Sequence, residues 1–410
     1  MIKTSLFCNS LKWIHFLKFL FSFKRRKGFQ LFREQIGNFF SINTQQVFLF
    51  GSARMSIYSI IKAKNWQKDD EIIVVGYTCV VVTNAIAYTG LKAVYVDITE
   101  ETLNIDTKQI SSLVNERTKA IIVAHNFGIV YEDIPAIKKQ FPELIVIEDA
   151  AHTFGSKNKD GKLAGLLGDA SYFSLEYSKP ITTGMGGILL VNDKTLEKDV
   201  EAYYNTLTKY PYFSNVKILI SLTAHLFTSK KPLIWFKWKI MKVLELLGLR
   251  FKSTNKELAG EMPKHYPVRL GNNLSYLGYL QCLDIEKTNK IKSEIVLNYH
   301  QTLENVPNIK QYYNSSYNYV RYPILVDKVV NISKIAKLRK ALAKEGIRTG
   351  EWFNDVIHPA GSFRYCYSAG NCPNGESISK RILNLPVNIH AKLKEKDYQA
   401  IERIFISYLG

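Results

Sequence analysis

The sequence predicts an α/β fold with a mostly parallel central sheet and a smaller C-terminal α/β domain. Three observations carry this. From about residue 46, short apolar runs alternate with helical patterns, the rhythm of βα units. Most of those runs are continuously apolar and rich in Val and Ile, which implies burial on both faces and hence parallel neighbours. Beyond residue 285 the texture changes to a long helix followed by fewer strands and more helix.

The strand candidates are Val47 to Phe50, Glu71 to Val75, Ala93 to Val96, Ala120 to Val123, Leu144 to Ile147, Ser171 to Ser174 and Gly187 to Val191. Helical patterns fit between several of them, at Met55 to Lys64, Val80 to Tyr88 and Ile134 to Gln140. The C-terminal part reads as a helix over Ile285 to Leu303, a strand over Val320 to Val326, a helix over Ile332 to Glu345 and a last helix after Lys394. The expected division is a basic amphipathic extension over 1–40, a large domain over 41–284 and a small domain over 285–410. An apolar, Lys-studded helical hairpin is expected within the large domain at 210–251.

Composition narrows the classes. The 410 residues carry 55 Lys plus Arg against 36 Asp plus Glu, a net charge of +19, and 46% of them are hydrophobic. A chain of this length buries a large core, and its apolar fraction excludes a wholly disordered protein. Five cysteines, with no C-x-x-C pair, indicate neither a disulfide framework nor a zinc site, and no metal ligand set is expected. A reducing, cytoplasmic compartment fits best. The basic excess admits nucleic acid, an anionic membrane surface or phosphorylated ligands. No nucleic-acid-binding signature supports the first.

The apolar stretch from Trp13 to Phe23 is interrupted by His15 and Lys18, and is shorter than the ~20 residues of a membrane span. It reads as a helix packed on the domain or as an interfacial membrane helix. The same two readings, buried pair or membrane-surface contact, stand for 210–251, so peripheral contact with the inner face of a membrane through 12–27 and 210–251 stays open.

The chemistry concentrates where strands end. Val146-Ile147-Glu148-Asp149 closes a buried strand in a carboxylate, and the strand 171–174 leads through Ser174 and Ser178 to Lys179 and a Gly-rich turn at 182–187. Ligands of open α/β sheets gather at the carboxyl ends of strands, so Asp149 and Lys179 are expected to face one pocket. An amine and a carboxylate aimed at one site suit pyridoxal phosphate: Lys forms a Schiff base and Asp keeps the pyridine nitrogen protonated. Gly51-Ser52-Ala53-Arg54, at a helix N-terminus after the first strand, offers N–H groups and a hydroxyl to a phosphate. Tyr77, just past a strand, is placed to stack on the ring.

These residues resemble a known family. Gly-Ser-Ala at 51–53, Gly-Tyr-Thr at 76–78, Val-Tyr-Val-Asp-Ile at 94–98, Leu-Asn-Ile-Asp at 103–106, His-Asn-Phe-Gly at 125–128, Glu-Asp-Ala-Ala-His at 148–152 and Phe-Ser-Leu-Glu-Tyr-Ser-Lys at 173–179 are similar, in order and approximate spacing, to the DegT/DnrJ/EryC1/StrS sugar aminotransferases. Ile378 to Pro386 resembles that family's C-terminal end, so the likeness spans roughly 30–408. It implies the fold type I, aspartate aminotransferase-like architecture and a homodimer with both sites at its interface.

Position by position, the resemblance makes Lys179 the cofactor-linked lysine and Asp149 the pyridinium partner. It places His152 beside the cofactor's ring oxygen, Ser52, Ala53 and Ser174 at the phosphate and Tyr77 against the ring. The stretch 269–275 departs from the family's pattern there: Asn272 or Asn273, of which Asn273 is preferred, either fills the role of the family's asparagine that reaches the partner subunit's cofactor phosphate or simply caps the following helix. His358 resembles a small-domain histidine near the sugar-phosphate side. The implied reaction is transamination of a nucleotide-linked keto sugar with an amino acid, glutamate by analogy, as donor, in cell-surface polysaccharide or amino-sugar biosynthesis. Relatives lacking the lysine act as dehydratases, so Lys179 favours an aminotransferase. The alternatives are a related enzyme acting on another carbonyl and a catalytically silent, membrane-associated member. Part of the +19 would then serve the phosphates of cofactor and substrate.

Overall fold

A computed structural model describes residues 3, 4, 6, 8–228, 236–249, 255–391 and 393–410. Twelve strands are present among them. They are β1 (Val47–Phe50), β2 (Glu71–Val75), β3 (Thr78–Cys79), β4 (Lys92–Val96), β5 (Thr118–Ala124), β6 (Ile145–Asp149), β7 (Ala170–Ser174), β8 (Gly187–Val191), β9 (Ile309–Gln311), β10 (Arg321–Val326), β11 (Ile357–His358) and β12 (Ile382–Pro386).

Seven of them form the main sheet in the order β1-β8-β7-β6-β5-β2-β4. From β7 to β4 all neighbours are parallel, while β8 runs antiparallel to both β7 and β1. The sheet is therefore mostly parallel, as the continuous apolar runs require. Ile72 to Val75, Ala120 to Ala124 and the whole of β8 are buried, with helices over both faces. The strand starts at Lys92, Thr118, Ile145 and Ala170 differ from the expected ones by one or two residues, within the ordinary fraying of element ends.

The C-terminal part builds a three-stranded antiparallel sheet, β12-β10-β9, flanked by the helices Ile285–Thr302, Ile332–Lys344 and Glu395–Leu409. It is tied to the large sheet by a parallel pairing of β11 with β3, in which Ile357 faces Thr78 and His358 faces Cys79. One apolar cluster runs through both parts, from Ile73 and Val123 to Ile324, Leu338 and Phe405.

Residue 40, the expected edge of an N-terminal extension, is not a boundary of packing. The helix Gly28–Phe40 buries Phe32, Ile36 and Phe40 in one cluster with Leu270 and Leu274. Phe40 lies 5.5 Å from the ring of Phe154 and 5.2 Å from that of Phe173. Asn272 Oδ1 accepts the N–H of Phe29, satisfying one of the free donors at that helix start. In the expected hairpin, helices span Tyr212–Thr228 and Lys237–Leu246; residues 229–235 and 250–251 of that segment lie outside the described residues.

Because Phe40 is part of the sheet's own core, Phe40→Ala should destabilise the chain by about 3–5 kcal/mol. The measurement is the shift in urea unfolding midpoint; a detachable extension would leave it unmoved.

Candidate active site

A cavity of about 450 Å³ opens at the carboxyl ends of the parallel strands. Asp149 ends β6, Ser174 ends β7 and Lys179 follows on the next turn; Ser52 and Ala53 follow β1 at the start of the helix Arg54–Lys64. All five line this one cavity, together with His152. Trp352, Phe353 and His358 close it from the C-terminal part, and His225 and Met241 from the hairpin.

Burial dominates the electrostatics. It pushes the Lys179 amine below its ordinary value, although Glu176 and Asp149 pull the other way. Burial likewise raises the Asp149 carboxyl, opposed by the Tyr172 hydroxyl, the Ala151 N–H and Lys179. A cation brought against Asp149 would reverse that shift, which suits a protonated ring nitrogen.

His152 is held neutral, well below its ordinary value, first by burial and then by the charges of Lys179 and Arg321. Its Nδ1 accepts the Phe127 N–H at 3.1 Å, which leaves Nε2 as the N–H. Its ring stacks on Trp352 at 4.9 Å with 5° between planes. The Lys179 Nζ lies 4.5 Å from the centre of the same indole, and the Arg321 guanidinium carbon 3.4 Å from it. Trp352 is thus the common wall of three functional groups.

The cradle at Ser52 fits a phosphate. The Ser52 hydroxyl is buried and has no hydrogen-bond partner among the described residues, a cost an oxyanion would relieve. The loop can sit so close to β8 because residue 187 is glycine: a Cβ there would stand 2.4 Å from the Ala53 nitrogen. A neutral-leaning lysine, a carboxylate awaiting a cation and an unpaired hydroxyl at a helix start together fit pyridoxal phosphate.

Tyr77 is a correction. It does not line the cavity; it is fully buried, its hydroxyl accepts the Phe353 N–H and donates to the Phe353 carbonyl, both at 3.0 Å. Cys79, two residues on, lines the cavity instead. Tyr77 turns inward because its ring completes the seam between the two parts, edge-on to Phe353 at 5.3 Å. Asn273 lies apart from the cavity, exposed in a surface depression with Arg26, whereas Asn272 is engaged with Phe29. His358 lines the cavity, its Nδ1 bonded to Asn354 Oδ1 at 2.7 Å, and burial lowers it to about 4.

Sequence reasoning missed Trp352, Arg321 and the role of His125, which lines the cavity beside Asn126. His125 sits in a quoted motif, so a signal existed; Trp352 and Arg321 carry none, being brought in by tertiary folding. It also missed a strap. Cys8 Sγ bonds to the Ser178 carbonyl at 3.0 Å, Asn9 Nδ2 to that of Tyr177 at 2.9 Å, and the Ser10 N–H to that of Pro180 at 2.8 Å. The segment flanking Lys179 is thereby held from behind. The strap continues to the C-terminal part, where His390 Nε2 meets the Asn9 carbonyl and Lys3 pairs with Asp397 at 2.8 Å.

Fold and cavity together define a pyridoxal-phosphate enzyme, and comparison with known proteins agrees. The sequence matches the model of the DegT/DnrJ/EryC1/StrS aminotransferase family over residues 28–405, and the chain belongs to that family. It is 29% identical over 391 residues to the uncharacterized protein MJ1066 of Methanocaldococcus jannaschii, covering 91% of this chain and 87% of that one. It is 25% identical over 371 residues to the spore coat polysaccharide biosynthesis protein SpsC of Bacillus subtilis, covering 87% and 84%. The aminotransferase TlmJ of Streptoalloteichus hindustanus shares the fold, with a TM-score of 0.71 at 19% identity over 99% of this chain and 98% of that one. The strap precedes the region matched by the family.

Two outcomes follow from this geometry. Ser52→Ala should weaken pyridoxal phosphate binding roughly ten- to hundredfold, yet change the stability of the cofactor-free chain by less than about 0.5 kcal/mol, because no protein partner is lost. Titration of cofactor and urea unfolding check the two halves. Covalent uptake of the cofactor requires the neutral amine, so its rate should rise with pH and level off below 10.5, the ordinary lysine value, because burial lowers Lys179; stopped-flow absorbance reads the midpoint.

Proposed function

We propose that this chain transfers the amino group of glutamate to the ketone of a nucleotide-linked sugar, in the making of an amino sugar for a cell-surface polysaccharide. The observation that carries this reading is the convergence of Lys179, Asp149 and the Ser52 cradle on one cavity. The printed names of relatives support the substrate class: GDP-perosamine synthase of Escherichia coli O157:H7, 40% identical over 144 residues covering 35% of this chain and 39% of that one, and SpsC. The five unpaired cysteines suit a reducing compartment, and the reaction is assigned to the cytoplasm.

When bound, pyridoxal phosphate supplies an electron sink and a carrier for the amino group. Lys179 Nζ would hold the cofactor covalently and would move a proton to or from the reacting carbon. Burial lowers its affinity for protons, which favours the neutral amine that accepts one. Asp149 holds a proton on the ring nitrogen. His152 would offer its Nε2–H to the ring oxygen, and Trp352 keeps both His152 and Lys179 in place. Ser52, Ser174 and the Ala53 N–H bind the phosphate. Asn273 reaches the partner's phosphate in a homodimer, and His358, neutral at physiological pH, lies on the sugar-phosphate side.

Purified protein should be yellow, its absorbance should shift on addition of glutamate, and a nucleotide-linked keto sugar should restore the original spectrum while gaining an amine detectable by mass spectrometry. Lys179→Ala should abolish turnover by at least about a thousandfold, having lost both attachment and proton transfer. A wild-type chain that takes up no cofactor, or that leaves every keto sugar unaminated, would overturn the proposal.

A further inference from the structure

Two segments far apart in the chain, each apolar and basic, are joined by the fold. Trp13 meets Phe227 edge to face with centroids 4.2 Å apart, and Leu11 and Phe19 share a buried cluster with Leu222 and Leu226. The helix Trp13–Phe21 thereby buries one side on the body, where His15 and Phe19 are enclosed. Its outer side is apolar too. Ile14, Leu17 and Phe21, spaced three and four apart, form an exposed stripe along one helix face. Phe21 and Phe23 are 82% and 83% exposed, and on the abutting hairpin Phe213 and Leu246 are 77% and 79% exposed. A helix with apolar residues on both sides has one more surface to cover.

The charges identify what covers it. Residues 12–27 hold six bases and no acid, and residues 212–249 hold a single acid, Glu245. Lys12 is paired with Asp284 and Arg26 shares the depression of Asn273, the side the proposed homodimer covers, but Lys18, Lys24 and Lys27 stand exposed beside the phenylalanines. A second copy packed across a two-fold axis would set this basic strip against itself, since such an interface brings the same patch together from both sides. Anionic headgroups neutralise the bases while the acyl boundary takes the phenylalanines. No helix among the described residues is long and apolar enough to cross a membrane, so the contact lies in the plane of the interface.

We propose that this joint face, residues 12–27 with the helices Tyr212–Thr228 and Lys237–Leu246, docks the protein on an anionic membrane surface. His225 and Met241 of the same hairpin line the cavity, so the docked face adjoins the wall of the substrate site. The proposal does not depend on which sugar is aminated, and its test does not use turnover.

Flotation of the full-length holoenzyme with phosphatidylcholine vesicles, with and without phosphatidylglycerol, tests it. Binding is expected only to the anionic vesicles, and should weaken with salt as the screening length falls from ~10 Å at 0.1 M to ~3 Å at 1 M. Lys24→Gln with Lys27→Gln should weaken binding about thirtyfold, at about 1 kcal/mol per basic residue. Phe21→Ser with Phe23→Ser should abolish it at low salt, with the bound cofactor's absorbance confirming a folded chain. No flotation with anionic vesicles overturns the proposal, as does equal binding to both vesicle types or by both variants. It is also overturned if the phenylalanine variant changes the oligomeric state seen by light scattering without lipid, because a second copy would then cover the face.

Discussion

The geometry of the site rests on the buried carboxylate of Glu148. Its two oxygens accept the N–H groups of Gly165, Leu167 and Gly168, each at 2.6 Å, and the Nε2–H of His125 at 2.8 Å. A carboxylate taken out of water costs several kcal/mol unless its lone pairs are filled, so the loop 165–168, the end of β6 and His125 order together or not at all. Successive strand residues point to opposite faces. Clamping Glu148 beneath the cavity therefore fixes the direction of Asp149 above it. The His125 ring, whose Nδ1 accepts the Tyr131 N–H, is locked by the same network and presents its flank to the cavity. A group that does not line the cavity thus decides how its wall is arranged.

The basic excess resolves into two populations. One is internal: burial lowers Lys179, pushes Arg321 down to about 10 and Lys292 to about 8, so these cations sit where they are poorly solvated. A cation in a cavity with a helix start at one end attracts anions, as a phosphorylated cofactor requires. The other population is external and is concentrated beside exposed phenylalanines.

Much of the fold was legible because buried parallel strands leave a strong mark: seven short runs, most of them continuously apolar, are the seven strands of the main sheet. The antiparallel direction of β8 left none, since a strand buried on both faces has the same composition whichever way it runs. Asp149, Lys179, Ser52 and Ser174 were legible because each lies within a few residues of a strand end. Tyr77 was misread for a local reason. Between Tyr77 and Cys79 the backbone passes from the seam to the cavity, and only the position of Phe353, 276 residues away, decides which of them is enclosed.

By itself, then, the sequence determined the sheet, the strand ends where ligands gather and the residue types converging there, because burial periodicity and short-range spacing are properties of the local chain. Tertiary structure alone decided that Trp352 would be shared by Lys179, His152 and Arg321, that a strap at residues 8–10 would hold the lysine segment from behind, and that two apolar basic segments would form one surface. Apart from the Arg321–Trp352 pair, each of these depends on contacts between residues more than a hundred positions apart. Such contacts follow from packing the whole core, and nothing in the local sequence specifies them.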